Sequence, residues 1–332
     1  MTPAATAAAG IHCLSIPTPF MVGRVNCYLI DDDPLTLVDT GPNSGKALDE
    51  LEQALRDHGR RIEDLERIVI THQHIDHLGL VDILARRSGA DVCALDLLAP
   101  VIEDFGADAE RDDELAEALM LRHGLPRDVV TALRAVSRSF RAWGGSTQVT
   151  RRLRDGELLE FAGRSLEVLH RPGHSPSDTV FWDRERAILL AGDHLIKHIS
   201  SNPLISRPLG GKSGEPGGGR PRALLTYMAS LGETREMPVE LVLPGHGEPF
   251  DDHAALIDER FAMHERRARK IRGLLGAQPL SAHEIAQQLW GNVAVTQAFL
   301  TLSEVLGHVD LLLDRREVAE QELGGVVRYR AA

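Results

Sequence analysis

Seven side chains that can bind a metal ion stand at points of the chain where an apolar run meets a turn. The densest segment is 71–77, THQHIDH, which has three histidines and one aspartate directly after the apolar run RIVI. The complete set is His72, His74, Asp76, His77, His174, Asp193 and His246. Imidazole nitrogens and carboxylate oxygens are ligands that suit Zn, Mn or Fe. A single PGH or GDH is usually only a turn, but their succession after HxHxDH predicts two adjacent metal sites with a bridging carboxylate.

Two divalent ions in such sites would define the chemistry of the protein. Ions about 3.5–4 Å apart hold a bridging water, and zinc lowers the pKa of bound water to about 7. The resulting hydroxide can attack a carbonyl carbon, while Asp76 binds a metal and orients the nucleophile as the catalytic residue. A triad built on Ser175 is less favoured, because His174 is better used as a metal ligand. We therefore expect a metal-dependent hydrolase with two divalent cofactors, zinc first and Mn or Fe as alternatives.

Alternating strands and helices would bring these residues together. Residues 11–95 follow the order β-β-α-β-α-β, and RIVITH within them is a continuous β-branched run typical of a buried strand. Strands return after Arg152, and VELVLPGHG contains the last strand of this part. The order predicts an α/β layered sandwich in which the strand ends converge on one edge.

Residues 97–145 contain two helical stretches with no strand between them, so we expect a helical insertion. Both of its ends are near the metal edge, and its helices should therefore cover that edge. Its apolar residues would form one wall of a pocket for an acyl group: Phe105, Met120, Phe140 and Trp143. Arg138 or Arg141 could hold a carboxylate or phosphate of the same substrate. The alternative is that the aromatic residues only pack the insertion onto the sheet.

Residues 258–332 have three helical stretches and a hairpin turned at Gly324–Gly325, the pattern of a small winged-helix-like domain. A capping box joins Ser281 to Glu284 at the start of the second stretch. The third stretch, 296–313, has no lysine or arginine, whereas a helix that binds a DNA groove needs positive charge. We expect it to pack or to form a homodimer. Residues 11–257 would be the catalytic domain, after a disordered tail at 1–10.

The composition of the chain limits which binding partners and which cellular compartment we expect. The net charge of −12 disfavours general affinity for nucleic acid. The three cysteines are widely spaced and predict no disulfide framework, as in a reducing cytoplasm. The start, MTPAATAAAG, lacks the regions of a signal peptide, and no apolar run approaches the roughly 20 residues that span a membrane. We expect a cytoplasmic protein that acts on a small-molecule acyl substrate.

The motifs LVDTG, THQHIDH, PGHS, GDH and PGHG resemble those of the metallo-β-lactamase superfamily over about residues 11–257. The resemblance implies a four-layer αββα fold. It implies that one metal ion is bound by His72, His74 and His174. The second ion would be bound by Asp76, His77 and His246, and Asp193 would bridge the two ions. Asp39, in LVDTG, would support the site without binding a metal.

Asp193 also separates branches of this superfamily. One major group of class B β-lactamases has cysteine in place of this aspartate, and those enzymes are exported. Hydroxyacylglutathione hydrolases, the glyoxalase II branch, have the aspartate, and GDHLIKHISSNPL is similar to a nearby bacterial subgroup of thioester or ester hydrolases. The function implied is cleavage of a thioester, ester or lactone by a metal-bridging hydroxide.

Three other functions stay open. A neighbouring branch joins a lactamase-like core to a C-terminal winged helix and includes an endoribonuclease, against which the acidic net charge argues. The chain could instead be an effector or binding protein that keeps the metal site without catalysis. A sulfur dioxygenase with a single iron has the same ligand set, but the insertion and the C-terminal region fit it poorly.

Overall fold

Two β-sheets packed face to face form the centre of the computed structural model, which describes residues 9–210, 220–276 and 278–332. The first sheet has six strands, adjacent in chain order: β1 Ile11–Ile16, β2 Val25–Ile30, β3 Thr36–Val38, β4 Arg67–Ile70, β5 Asp91–Leu95 and β6 Arg151–Leu153. The second has five, also adjacent in chain order: β7 Leu158–Glu160, β8 Ser165–His170, β9 Thr179–Asp183, β10 Ile188–Gly192 and β11 Leu241–Pro244. Most of the predicted tail at 1–10 lies outside the described residues.

The two-residue period of the strands lets one strand contribute to two hydrophobic cores. In β4, Val69 packs into the core between the sheets, whereas Ile68 and Ile70 pack towards helices on the outer face. In β10, Leu190 faces the core between the sheets and Leu189 faces the helices on the other side. A strand buried on both faces needs a continuous apolar run, which is what both segments have.

Three helices cover the outer face of the first sheet: α1 Gly45–Asp57, α2 Ile75–Leu78 and α3 Val81–Ser88. The hydroxyl of Ser44 accepts a hydrogen bond from the backbone N–H of Ala47 at 3.1 Å and caps α1. Helices α2 and α3 are separate, because α3 begins only at Val81. The backbone N–H of Leu80 donates to the carbonyl of Gly41 at 3.1 Å, so it does not continue α2.

The predicted insertion at 97–145 is helical: α4 Ala99–Glu103, α5 Phe105–Arg122 and α6 Arg127–Phe140, followed by a 3₁₀ turn at Arg141–Trp143. Glu110 on α5 binds the guanidinium groups of Arg134, Arg138 and Arg141 at 2.6–2.8 Å. Arg138 and Arg141, expected to hold a substrate anion, are thus paired with a carboxylate of the insertion itself.

Two helices cover the second sheet: α7 Ala223–Arg235 and α8 His253–Leu274. Tyr227 and Leu231 of α7 pack with Val180 and Val242 of the sheet in one buried cluster. With helices on the outer faces of both sheets, the predicted four-layer αββα sandwich is confirmed. Within the described ranges, every helix is too short or too polar to cross a membrane.

The C-terminal region combines helices with a small third sheet: α9 Ala282–Trp290, α10 Val293–Thr296, α11 Ala298–Asp314, β12 Leu280–Ser281, β13 Val318–Leu323 and β14 Val326–Ala331. The predicted capping box is present, since Ser281 Oγ accepts from the N–H of Glu284 and the Glu284 carboxylate accepts from the N–H of Ser281. Gly324 and Gly325 turn the predicted hairpin with φ of 60° and 78°. The predicted third helix is divided at Gln297, whose φ of −123° and ψ of 44° are not helical.

The insertion and the C-terminal region share one hydrophobic core. Leu119 and Met120 of α5 lie in the same buried cluster as Val305 of α11. A bidentate ion pair fastens α11 from its other side: the guanidinium of Arg220 donates to both carboxylate oxygens of Asp310 at 2.6 and 2.7 Å. Helix α11 therefore packs inside the molecule.

Candidate metal centre

The ends of four strands bring all seven predicted residues to one edge of the sandwich. His72 and His74 follow β4, and Asp76 and His77 lie on α2. The remaining three follow β8, β10 and β11: His174, Asp193 and His246. The potential ligand atoms form two groups, and within each group they all lie within 4.8 Å of one another. The first group is His72, His74, His174 and Asp193, and the second is Asp76, His77 and His246.

Asp193 contacts both groups. Its Oδ2 lies 3.6 Å from Nε2 of His174 in the first group and 3.5 Å from Nε2 of His246 in the second. Its Oδ1 lies 3.4 Å from Nε2 of His77. The carboxylate therefore lies within 3.6 Å of ligand atoms from both groups.

The three imidazoles of the first group converge on one point. Nδ1 of His74 lies 3.0 Å from Nε2 of His72 and 3.0 Å from Nε2 of His174. A neutral imidazole has one nitrogen with a free lone pair, and three such lone pairs facing each other repel unless a cation or protons lie between them. A metal ion satisfies all three at once.

Asp39 orients the second group from behind. Its Oδ2 accepts hydrogen bonds from Nδ1 of His77 at 2.7 Å and from the hydroxyl of Thr71 at 2.9 Å. Nδ1 of His246 donates to the carbonyl of Arg24 at 2.7 Å. With Nδ1 protonated in both rings, the free lone pair is on Nε2, which faces Asp193. Asp39 thus has the supporting geometry that the family resemblance implied.

Buried atoms without partners test whether metal ions fit. Nε2 of His77, Nε2 of His246 and Oδ1 of Asp193 are buried, and none has a hydrogen-bond partner among the described residues. Leaving such groups unpaired costs free energy, which coordination of a cation removes. A Cβ at Gly245 would lie 2.2 Å from Oδ1 of Asp193, so only glycine lets this turn come so close. The residues present therefore fit divalent metal ions.

The electrostatics of the site also favour a cation. Burial and the neighbouring imidazole of His174 lower the pKa of His74 to about 3, which leaves this ligand neutral at physiological pH. Burial likewise lowers the pKa of His72. For His246, burial opposes protonation, but the carboxylate of Asp193 outweighs it and raises the pKa to about 9. The second group thus attracts positive charge through its carboxylates.

The turn that carries His174 depends on residues that sequence analysis missed. The hydroxyl of Ser175 donates to Oδ1 of Asp178 at 2.8 Å, so Ser175 is part of this turn and not of a catalytic triad. The hydroxyl of Ser177 donates to Oε1 of Gln73 and joins the turn to the segment after β4. The run SPSD, typical of a turn, was the available signal.

A cavity of about 700 Å³ opens onto the site at His74 and Asp76. Most of its lining is apolar, and three of the four predicted wall residues contribute to it: Phe105, Met120 and Phe140. Trp143 instead packs behind the wall, with its ring centroid 6.4 Å from that of Phe20. The cavity is also lined by residues that sequence analysis did not consider: Phe20, Leu204, Ala298, Phe299 and Leu300.

Comparison with known proteins places this architecture in a family. A sequence profile described as Metallo-beta-lactamase superfamily matches residues 21–246. The chain is 32% identical over 320 residues to the probable metallo-hydrolase YqjP of Bacillus subtilis, covering 96% of this chain and 97% of that protein. It is 26% identical over 184 residues to the hydroxyacylglutathione hydrolase GloC of Haemophilus influenzae, covering 54% of this chain and 70% of that protein.

Its fold is also similar to the crystal structure of TTHA1429, a metallo-beta-lactamase family protein of Thermus thermophilus. The TM-score is 0.78 at 28% identity, over 97% of this chain and 99% of that one. The expectation of a hydrolase with this fold is confirmed, and the chain belongs to the metallo-beta-lactamase superfamily.

Proposed function

We propose that this protein is a binuclear metal-dependent hydrolase of a thioester, ester or lactone. The position of Asp193 carries the proposal, because its two carboxylate oxygens reach His77 and His246 on one side and His174 on the other. The proposed ligands are His72, His74 and His174 for one ion, Asp76, His77 and His246 for the other, and Asp193 for both. Zinc is the expected metal, with Mn or Fe as alternatives.

The residues around the ions would have different roles in the reaction. Divalent ions bound here would polarise a carbonyl oxygen and lower the pKa of a water molecule. Among the proposed ligands, Asp76 is the carboxylate that lines the cavity, so it can orient the attacking water and accept its proton. Asp39 and the carbonyl of Arg24 keep the rings of His77 and His246 in place during turnover.

The branch with a thioester or ester substrate is favoured over class B β-lactamases by the aspartate at position 193. The similarity to a hydroxyacylglutathione hydrolase, although it covers only 54% of this chain, supports the same class. The largely apolar cavity beside Asp76 suits an acyl group.

We also propose that residues 258–332 form a winged-helix-like domain with a packing role. Twelve residues of α11, the helix that would enter a nucleic-acid groove in such a domain, are buried. The net charge of −12 adds repulsion of phosphate. Both features favour a small-molecule hydrolase over an endoribonuclease, and we propose that it acts in the cytoplasm.

An activity panel tests the proposal. Zinc-loaded protein is offered acyl thioesters, esters, lactones and RNA, and we expect hydrolysis of the acyl compounds, loss on chelation and recovery with zinc. Asp76→Asn should lower kcat by at least about 100-fold, as expected for loss of a positioned proton acceptor. Asp57→Asn, at an exposed carboxylate on α1, is the matched control and should keep full activity.

Cleavage of RNA alone would move the protein to the nuclease branch. Absence of all activity in fully metal-loaded protein would favour the effector hypothesis.

A further inference from the structure

The start of helix α11 is part of the cavity beside the metal centre. Ala298, Phe299 and Leu300 form its first turn and line the same cavity as Phe105 and Phe140 of the insertion. The side chain of Leu300 is 39% exposed, so this turn is not simply interior packing. Residues that are nearly 200 positions apart in sequence therefore face one space.

The segment after Asp193 ties this turn to the metal centre. The hydroxyl of Ser201 donates to the carbonyl of Asp193. The next residue, Asn202, donates from its side chain to the carbonyl of Leu300 at 3.2 Å. Further along, the N–H of Ile205 donates to the hydroxyl of Ser303 at 3.3 Å. The first turn of α11 is therefore positioned relative to Asp193 by a short chain of hydrogen bonds.

A loop from the N-terminal part of the chain bridges the two walls. The ring of Phe20 lies edge-to-face with that of Phe140, with centroids 5.9 Å apart. The next residue, Met21, accepts a hydrogen bond at sulfur from the side chain of Gln297 at 3.2 Å. Met21 is 90% exposed, so an apolar side chain stands at the rim between the insertion and α11.

Most charged residues in the lining are paired with residues just outside it. The lining carboxylates Asp108 and Asp113 bind Arg207 and Arg141, which lie outside the lining. The lining guanidinium of Arg134 binds Glu110 and Glu117. Burial and the carboxylate of Asp108 raise the pKa of Asp112 to about 6, so this group is acidic but easily neutralised. The wall therefore offers apolar surface with a slight excess of carboxylates, which favours an uncharged chain over an anionic group.

We propose that the cavity holds an apolar acyl chain of the substrate and that Phe299 and Leu300 determine which chain lengths are accepted. This assignment rests on the proposed function, because the hydrolase activity defines which bond of the substrate is cleaved. A cavity of about 700 Å³ is well within the size of small-molecule sites and leaves room for more than an acetyl group. The C-terminal region is then a part of substrate recognition.

Thioesters of N-acetylcysteamine test the proposal, because only the acyl group changes from acetyl through butyryl and octanoyl to dodecanoyl. Phe299→Ala and Leu300→Ala should raise KM for the octanoyl thioester by about tenfold and leave the acetyl thioester unchanged, since each lost methylene contact costs about fourfold. Leu300→Trp should shift the preferred length to shorter chains. Leu323→Ala, at a leucine of the hairpin that is 51% exposed and outside the cavity, is the matched control and should change neither.

Calorimetric binding of octanoate to the zinc-loaded protein gives a second measurement that needs no turnover. Phe299→Ala should weaken octanoate binding about tenfold relative to Leu323→Ala. If no thioester is hydrolysed but octanoate still binds in this way, the proposed reaction fails and the assignment of the cavity stands. The assignment would be overturned if Phe299→Ala and Leu300→Ala affected all chain lengths equally. It would also be overturned if Phe299→Ala left octanoate binding unchanged and Leu300→Trp left the length preference unchanged.

Discussion

The metal edge and the cavity wall are built in different ways. The metal edge takes its seven residues from the ends of four sandwich strands, and four of the seven lie within positions 72–77. The wall takes its residues from four distant segments: the loop at Phe20, the insertion, the segment at Leu204 and Ser206, and the first turn of α11. The comparison indicates that the chemistry of this protein is specified locally, whereas recognition depends on how separate helices pack.

The two regions also use buried histidines differently. At the metal edge, Nε2 of His77 and Nε2 of His246 have no protein hydrogen-bond partner among the described residues and face a possible ion. Behind the wall, Nδ1 of His264 and Nε2 of His308 lie 3.2 Å apart, and Nδ1 of His308 donates to the carbonyl of Glu304, so protein groups hold both rings inside the helical core. Changes in the helical core behind the wall should therefore act on stability, and changes at the edge should act on metal binding.

The largest effect on stability is expected at the ion pair that fastens α11. Asp310→Ala leaves the guanidinium of Arg220, which is 14% exposed, without its bidentate partner. Removing one partner of a buried pair typically costs about 3–5 kcal/mol, which urea unfolding can measure. Asp258→Ala, in an exposed pair with Arg235, is the control and should change the free energy of unfolding little.

Metal content per folded chain should stay unchanged in Asp310→Ala. Loss of metal in the fraction that remains folded would show that the two regions are not separable.

These differences between the metal edge and the wall explain how much of the site could be predicted from the sequence. THQHIDH and the later motifs identify all seven edge residues, because apolar strand runs and the turns after them are local signals. The break at Gln297 and the contact of Phe299 with the cavity could not be predicted, because they depend on Met21 and Asn202, which are remote in sequence. Trp143 was placed in the wall for its type alone, but its position is set by packing against Phe20.

A smaller effect is expected where Asp39 supports the metal edge. Asp39→Asn keeps the shape of the side chain but weakens its hydrogen bonds with His77 and Thr71. Changes to such supporting residues typically lower metal affinity about 10–100-fold, which competition with a chelator can measure. Asp57→Asn is the control. Unchanged affinity in Asp39→Asn would show that the orientation of His77 does not depend on this carboxylate.

The smallest effect concerns acid stability of the helical core. Burial, followed by His308, lowers the pKa of His264 to about 3, below its ordinary value near 6.5. Between these values the unfolded chain binds a proton that the folded chain does not, so stability falls as pH decreases below about 6.5. This group alone should cost about 2 kcal/mol by pH 5.

Replacement by a side chain that does not titrate isolates this contribution. His264→Gln should lose about 2 kcal/mol less than the wild type between pH 7 and pH 5 in urea unfolding. Parallel pH profiles for the two proteins would mean that His264 is not held neutral.

Metal stoichiometry tests the central claim most directly. Elemental analysis of the purified, metal-loaded protein should give close to two transition-metal ions per chain. In Asp193→Ala both groups lose their shared carboxylate, so occupancy and activity should fall together, while Asp57→Asn keeps both ions. A single iron per chain that persists after loss of Asp76 or His246 would contradict the binuclear account.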